Sequence, residues 1–256
     1  MKGLGVLFLC AGCGSTSSSS DAGDAGGADT STSDSATVDA GVDVAVMDGA
    51  TDASGDAGPK SYSTNFPGVE NPISENGVWT NGGLVGLKWQ DVRKENGFAF
   101  GSGTSAGYDD CIAHLSGFPA NHFAQATLHV ASNYTPPSSH EVELLVRFKI
   151  TANNARGYEI NCGWNGAYSQ IVRWNGPLND FTYLNPTGPG FGALAEGDVI
   201  RATAIGSTIT VYKNGNQVMQ VSDPTWSDGD PGMAMFIRPG GTAKNYCYTQ
   251  FSAGSL

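Results

Sequence analysis

Thr208-Ile209-Thr210-Val211-Tyr212-Lys213-Asn214-Gly215-Asn216-Gln217-Val218-Met219-Gln220-Val221 reads as a β-hairpin. Two runs rich in β-branched and aromatic residues flank Asn214-Gly215. That dipeptide tolerates positive φ at both centres of a type I′ turn, whose twist matches the strands on either side. Upstream, Gly206-Ser207 joins residues 199–205 to 208–213 in the same way, so three strands form a meander. Within 199–205, Ile200, Ala202 and Ala204 alternate with Arg201 and Thr203, the pattern of a half-buried strand.

Outward from the meander, short β-branched and aromatic runs continue, separated by Gly, Pro, Asn and Asp. Strands are expected at 84–89, 125–130, 142–150, 157–164, 168–174, 181–184, 217–221, 233–238 and 246–251. No stretch keeps apolar residues at helical spacing over three turns. Alternation is poorer outside the meander, as when both faces of a strand are covered. Residues 61–256 are enough chain for one all-β domain, and the expected class is a two-sheet antiparallel jelly-roll sandwich.

The N-terminal part has another character. Met1-Lys2-Gly3-Leu4-Gly5-Val6-Leu7-Phe8-Leu9-Cys10-Ala11-Gly12-Cys13 has a single positive charge, a short apolar run and a small-small-Cys ending. The run is far short of the about 20 apolar residues that span a bilayer, so it reads as a signal segment removed on export. The ending resembles a bacterial lipoprotein processing site, which implies lipidation at Cys13. Gly14 follows, where an Asp often marks inner-membrane retention, so the resemblance implies the outer membrane of the cell envelope. Residues 14–60 are almost entirely Ser, Thr, Asp, Ala and Gly, with Asp-Ala-Gly repeated at 21–23, 24–26 and 56–58. Such a tract cannot bury enough apolar surface to offset its conformational entropy, and is expected to be a disordered tether. Its span would be on the order of 40 Å. The organisation read from sequence is therefore 1–13 signal, 14–60 linker, 61–256 sandwich.

Charge follows the same division. The whole chain carries −11, but nine aspartates and Lys60 lie in the tether and Lys2 in the signal. Residues 61–256 keep 15 acids and 11 bases, net −4. That balance excludes the basic face that nucleic acid requires.

The run Glu196-Gly197-Asp198, Arg201, Tyr212, Asn214-Gly215, Asp223, Gly229 and Pro231-Gly232 resembles the C-terminal half of concanavalin A-like (LamG-type) domains. The family implies a jelly roll that hosts lectins, glycan-binding modules, glycosidases and lyases alike. It also implies that the first and last strands pair, which would bring Trp79 near Phe251. Glycosidases resembling the laminarinase group carry Glu-x-Asp-x-x-Glu on one strand. Glu141-Val142-Glu143 is the nearest match, and Leu145 and Val146 break it, so these two acids read as solvent-facing strand residues. Lyase-like members need Arg, Gln, His and Tyr together; Tyr168, Gln170 and Arg173 are neighbours, but no His accompanies them.

The candidate ligand site is instead aromatic. Trp164, Tyr168, Trp174 and Tyr183 occupy consecutive expected strands, and pyranose C–H faces stack on such rings. Arg156 and Arg173 would add hydroxyl or carboxylate contacts. Packing in a sandwich core is the competing reading for each ring. Asp109-Asp110 and His114 read as a solvated Gly-rich loop. Asp228 and Asp230 read as turn caps, because a Ca²⁺ site would need six or more oxygens. No Cys/His spacing suits a metal, and no cofactor is expected. Cys111, Cys162 and Cys247 are an odd number in an exported domain; Cys162 reads as a buried thiol and Cys111–Cys247 as the bridge. The expected function is non-catalytic carbohydrate binding by a monomeric cell-surface lipoprotein. A glycan-degrading hydrolase or lyase, or a ligand-free structural surface protein, are the alternatives.

Overall fold

The computed structural model describes residues 59–103, 109–135, 140–166, 168–185, 190–237 and 242–256. The expected signal, the lipidation site Cys13 and nearly all of the tether lie outside them. Sixteen strands follow in chain order: β1 (Ser61–Thr64), β2 (Val69–Glu70), β3 (Thr80–Asn81), β4 (Gln90–Glu95), β5 (Phe98–Gly101), β6 (Asp109–His114), β7 (His122–Val130), β8 (Glu141–Thr151), β9 (Asn154–Gly163), β10 (Ser169–Pro177), β11 (Phe181–Tyr183), β12 (Val199–Ile205), β13 (Thr208–Lys213), β14 (Asn216–Ser222), β15 (Asp230–Ile237) and β16 (Tyr246–Ser255). Only three 3₁₀ turns interrupt them among the described residues. The class is all-β, as the sequence implies.

The strands form one curled sheet in the order β11-β10-β9-β8-β15-β6-β4-β5-β16-β7-β12-β13-β14. It doubles over at β4, which pairs in parallel with β6 and antiparallel with β5. The result is a sandwich of two halves, here called the β8 layer and the β7 layer. The β12–β13–β14 meander has the expected registers: Ile205 faces Thr208 and Lys213 faces Asn216, with Asn214 at φ 50° and Gly215 at φ 80°. β1 pairs with β16, and the Trp79 and Phe251 rings meet edge-on at 5.2 Å, as the family resemblance implies.

The two layers bury one core, to which alternate residues of every long strand contribute. From β8 come Val142, Leu144 and Val146; from β9 Tyr158, Ile160 and Cys162; from β15 Met233, Met235 and Ile237; from β16 Tyr246, Tyr248 and Phe251. Each such side chain contributes about 1.5–3 kcal/mol by leaving water. Cys162 is a buried thiol within this core, as expected. The expected Cys111–Cys247 bridge is not formed. Cys111 points into the core. Cys247 alternates with Tyr246 and Tyr248 and so faces away from it, and its thiol donates to the Lys244 carbonyl.

Other departures cluster in the first third of the domain. The strand expected at 84–89 is a 3₁₀ turn and loop, ended by Gly86 at φ 80°, and the strand starts at Gln90. The loop expected around Asp109, Asp110 and His114 is β6, where Asp110 and His114 are buried.

One feature shapes the lower end of the β8 layer. Registers slip between Val146 and Lys149 and between Asp230 and Gly232, and Arg147 takes φ 51°. Its guanidinium turns inward to the Ala120 and Trp226 carbonyls, and its N–H donates to His122 Nε2. Gly157 and Gly229 make room: a Cβ on Gly157 would stand 2.6 Å from the Arg147 carbonyl oxygen.

Candidate functional site

Strand alternation also gives the β8 layer a second face, turned away from the core. On it stand Asp110 from β6, Phe236 from β15, Glu141 and Glu143 from β8, Glu159 and Asn161 from β9, Gln170, Val172 and Trp174 from β10, and Phe181 and Tyr183 from β11. With Tyr168 and Asn179 they line a cleft of about 460 Å³, within the range of small-ligand sites. Below it, the same face carries an apolar patch of Leu87, Trp89, Ile112, Leu145, Phe148 and Ala234, continuous with Trp174. The 82–89 loop therefore serves as a cover for the patch rather than as a strand.

The registers define the rows of the cleft. Glu143 lies between Asn161 and Ala234, and Glu141 between Gly163 and Phe236, which in turn faces Asp110. Glu141 and Glu143 are two residues apart on one strand, about 6.7 Å along the backbone. Glu159 is the diagonal neighbour of Glu143, at about 7–8 Å. Gly163 lacks the Cβ that would press on the Tyr168 ring at 3.1 Å. Tyr168 folds over it and its hydroxyl donates to Glu141 Oε1. Trp174 meets Trp89 edge-on at 4.6 Å and Phe181 at 5.2 Å, and its Nε1–H donates to Glu159 Oε2 at 2.9 Å.

The expectation that Glu141 and Glu143 face solvent is therefore corrected: they are 8% and 2% exposed. Burial, and then the neighbouring acids, push the Glu143 carboxyl well above the usual carboxylate range; Glu159, Glu141 and Asp110 all act in that direction. The same causes raise Glu159, against which the Trp174 hydrogen bond pulls only partly. Both buried carboxyls are thus pushed towards their protonated form. Among the described residues, Glu143 Oε2 and Asn161 Oδ1, on residues directly opposite each other, are cleft acceptors without a partner.

Of the side chains expected in a ligand site, the structure gathers Tyr168, Trp174 and Tyr183 in this cleft and sets the others apart. Trp174 is nearly buried, whereas Tyr183 is 46% exposed at the rim. Trp164 lies in a 3₁₀ turn and packs edge-on against Tyr246 at 5.2 Å and Tyr134 at 5.5 Å, towards the core. Arg173 neighbours Trp174 on one strand and so points to the other face, where it pairs with Asp223 at 2.6 Å. The acids of the cleft are what sequence reasoning missed. The i, i+2 spacing of Glu141 and Glu143 shows that they share a face, but not that the face is covered. Among the described residues no group of three or more His, Cys, Asp or Glu could hold a metal ion.

No family model matches the chain, and no curated protein matches it in sequence. Solved structures do share its fold. The carbohydrate recognition domain of Emp46p, in its metal-free form, is 12% identical over 75% of this chain and 95% of that one, with a TM-score of 0.51. A chain described with the endo-acting O-glycanases that prominent members of the human gut microbiota express to initiate mucin breakdown is 12% identical over 76% of this chain and 98% of that one, with a TM-score of 0.50. At such identities the likeness establishes the fold alone, an all-β jelly-roll sandwich.

Proposed function

We propose that the domain binds a carbohydrate in the cleft of the β8 layer, and that it does so at the cell envelope, tethered through residues 14–60 to a lipid on Cys13. The observation that carries the ligand class is the pairing, in one cleft, of ring faces with hydrogen-bonding groups. Tyr168, Phe181 and Tyr183 offer surfaces on which a pyranose stacks, while Glu143, Asn161 and Gln170 meet hydroxyls. Two of the folds it resembles belong to a carbohydrate recognition domain and to the glycanase group named above, which supports the reading. A glycan array with the purified protein tests it. Binding that is lost in Tyr183→Ala is expected; binding that is unchanged in Tyr183→Ala and Tyr168→Phe together places the ligand elsewhere.

A second reading, glycoside hydrolysis, is favoured by one specific observation. Burial pushes the Glu143 and Glu159 carboxyls towards the protonated form that a general acid needs, and Glu141 stands beside Glu143 with the Tyr168 hydroxyl on it. A lyase has less support, since neither Arg nor His is among the described lining residues. Release of reducing sugar from an array hit, abolished in Glu143→Gln or Glu159→Gln, would select hydrolysis; no release from any bound glycan would leave binding alone. For the anchor, mass spectrometry of the mature N-terminus should find an acylated Cys13, and an unacylated end elsewhere would remove it.

A further inference from the structure

We propose that the outer face of the β7 layer holds a second site, which takes a sugar bearing a carboxylate. It lies across the core from the cleft and stands independently of the reading made there. Ile200, Ala202 and Ala204 turn into the core, so Arg201 on the same strand faces outward. The registers then set Ser252, Gln125, Arg201 and Tyr212 side by side across β16, β7, β12 and β13, a row about 14 Å long. Arg201 and Tyr212 line a cavity of about 410 Å³, and Ser252 lines one of about 350 Å³; Gln125 belongs to both.

Arg201 is a cation that this face leaves unmatched. Elsewhere in the described domain, half-buried cations meet carboxylates: Arg156 meets Asp228 at 2.9 Å, Arg173 meets Asp223 at 2.6 Å and Lys213 meets Asp198 at 3.1 Å. Among the described residues no carboxylate pairs with Arg201. Its guanidinium lies 3.6 Å from the Phe123 ring, and its Nη1 donates to Gln125 Oε1 at 3.3 Å. Burial pulls its pKa below the usual arginine range, and no carboxylate acts against that. Neither cavity has an Asp or Glu among its described lining residues. The guanidinium is also fixed in direction. Phe123 faces Gly254 across the strands, where a Cβ would stand 2.5 Å from the ring, so the glycine leaves room for the ring on which Arg201 rests. The fork keeps N–H donors that a carboxylate can accept two at a time.

The neighbours make that carboxylate a sugar's. Tyr212 is directly opposite Arg201, at a cross-strand separation of about 4.5–5.5 Å. A pyranose stacked on the Tyr212 ring brings a carboxylate on its own ring carbon to the guanidinium, while Gln125 and Ser252 meet hydroxyls along the row. Ile205 and Leu256, both exposed, give its C–H edges an apolar wall. A chain of net charge −11 draws in no anion from a distance, so recognition rests on the site itself.

The test is isothermal titration calorimetry of the full chain with oligomers of galacturonate, neutral galactose oligomers of the same length, and inorganic phosphate. The galacturonate oligomer should bind at least about tenfold more tightly than the neutral one. Arg201→Gln should lose that preference, and Tyr212→Ala, which keeps the charge, should weaken the acidic oligomer too. Lys149→Gln, which removes a positive charge elsewhere on the surface, should bind as the natural protein does. Equal affinity for acidic and neutral oligomers overturns the proposal, as does no binding of the acidic one or its unchanged binding by Arg201→Gln. Where the urea midpoint shows that Arg201→Gln has not folded, Tyr212→Ala decides, and unchanged affinity in it overturns the site. A loss in Lys149→Gln as large as in Arg201→Gln would reduce the effect to net charge, and phosphate binding as tightly as the oligomer would remove the sugar; either overturns the proposal. None of these outcomes bears on the cleft, whose ligand the glycan array and Tyr183→Ala test.

Discussion

Replacing Glu143 by Gln should make the domain more stable at pH 8 than the natural protein, and the gain should shrink as the pH falls. Glu143 is buried among three other acids, and its carboxyl is raised well above its value in the unfolded chain, near 4.5. The native state therefore keeps a proton that the unfolded chain releases. Stability from this proton is fully present below about pH 4.5 and is lost as pH rises towards the folded value. Within that window each such group removes about 1.4 kcal/mol per pH unit. Gln has the same shape and no proton to lose, so the difference in unfolding free energy, variant minus natural, should climb with that slope. His114, His122 and His140 act oppositely, because burial lowers all three, His122 and His140 to about 4. They add stability as pH rises towards 6.5, but equally in both proteins, so they cancel in the difference. The assay is urea unfolding followed by tryptophan fluorescence at several pH values between 4.5 and 8. Parallel stability curves for the two proteins would refute the claim that the cleft holds Glu143 protonated.

Four further outcomes follow from the same structure. Gly157→Ala should cost about 3 kcal/mol or more, since φ is 140° and the new Cβ would meet the Arg147 and Phe148 backbone at 2.6 Å; a urea midpoint unchanged from the natural protein would count against the bulge geometry. Arg173→Ala should weaken the domain by roughly 1 kcal/mol through loss of its partly buried pair with Asp223, yet leave glycan affinity alone, because the side chain faces away from the cleft; calorimetry showing weakened binding would contradict that orientation. Tyr183→Ala, at the rim and 46% exposed, should do the reverse: a stability change within about 0.5 kcal/mol and a loss of affinity. The Cys162 and Cys247 thiols should react with an aromatic disulfide reagent only after unfolding, because burial shields both and raises their thiols above the usual range; fast reaction in native buffer would show one of them accessible.

The β12–β14 meander was legible because its turns are local. Asn214-Gly215 and Gly206-Ser207 carry their own φ values and force the register of the strands they join. β4 was not, since Gln90-Asp91-Val92-Arg93-Lys94-Glu95 reads as a polar stretch. Its burial at Lys94 depends on Glu70 and Glu75, which are distant in the chain and close the charge with ion pairs at 3.4 and 3.0 Å. The cleft was half legible. Aromatic residues on successive strands marked the right layer, and Arg173 could have been assigned to the far face from its adjacency to Trp174 alone. That Glu141 and Glu143 are covered could not be read, because burial of a strand face is a property of what packs on it. Parity of cysteines likewise says nothing of direction, and opposite faces keep Cys111 and Cys247 apart.

The chain has five tryptophans, so a nitrogen–proton correlation spectrum shows five indole N–H signals. The Trp174 indole donates to a cleft carboxyl, Glu159, while those of Trp79 and Trp226 donate to Tyr62 and to the Trp174 carbonyl. Titrating the best-bound oligosaccharide into labelled protein tests the central claim most directly. The Trp174 signal should move with saturation, accompanied at most by Trp89, which packs on it at 4.6 Å. Movement of the Trp79 or Trp164 signal with Trp174 unmoved would place the glycan outside the cleft and contradict the account.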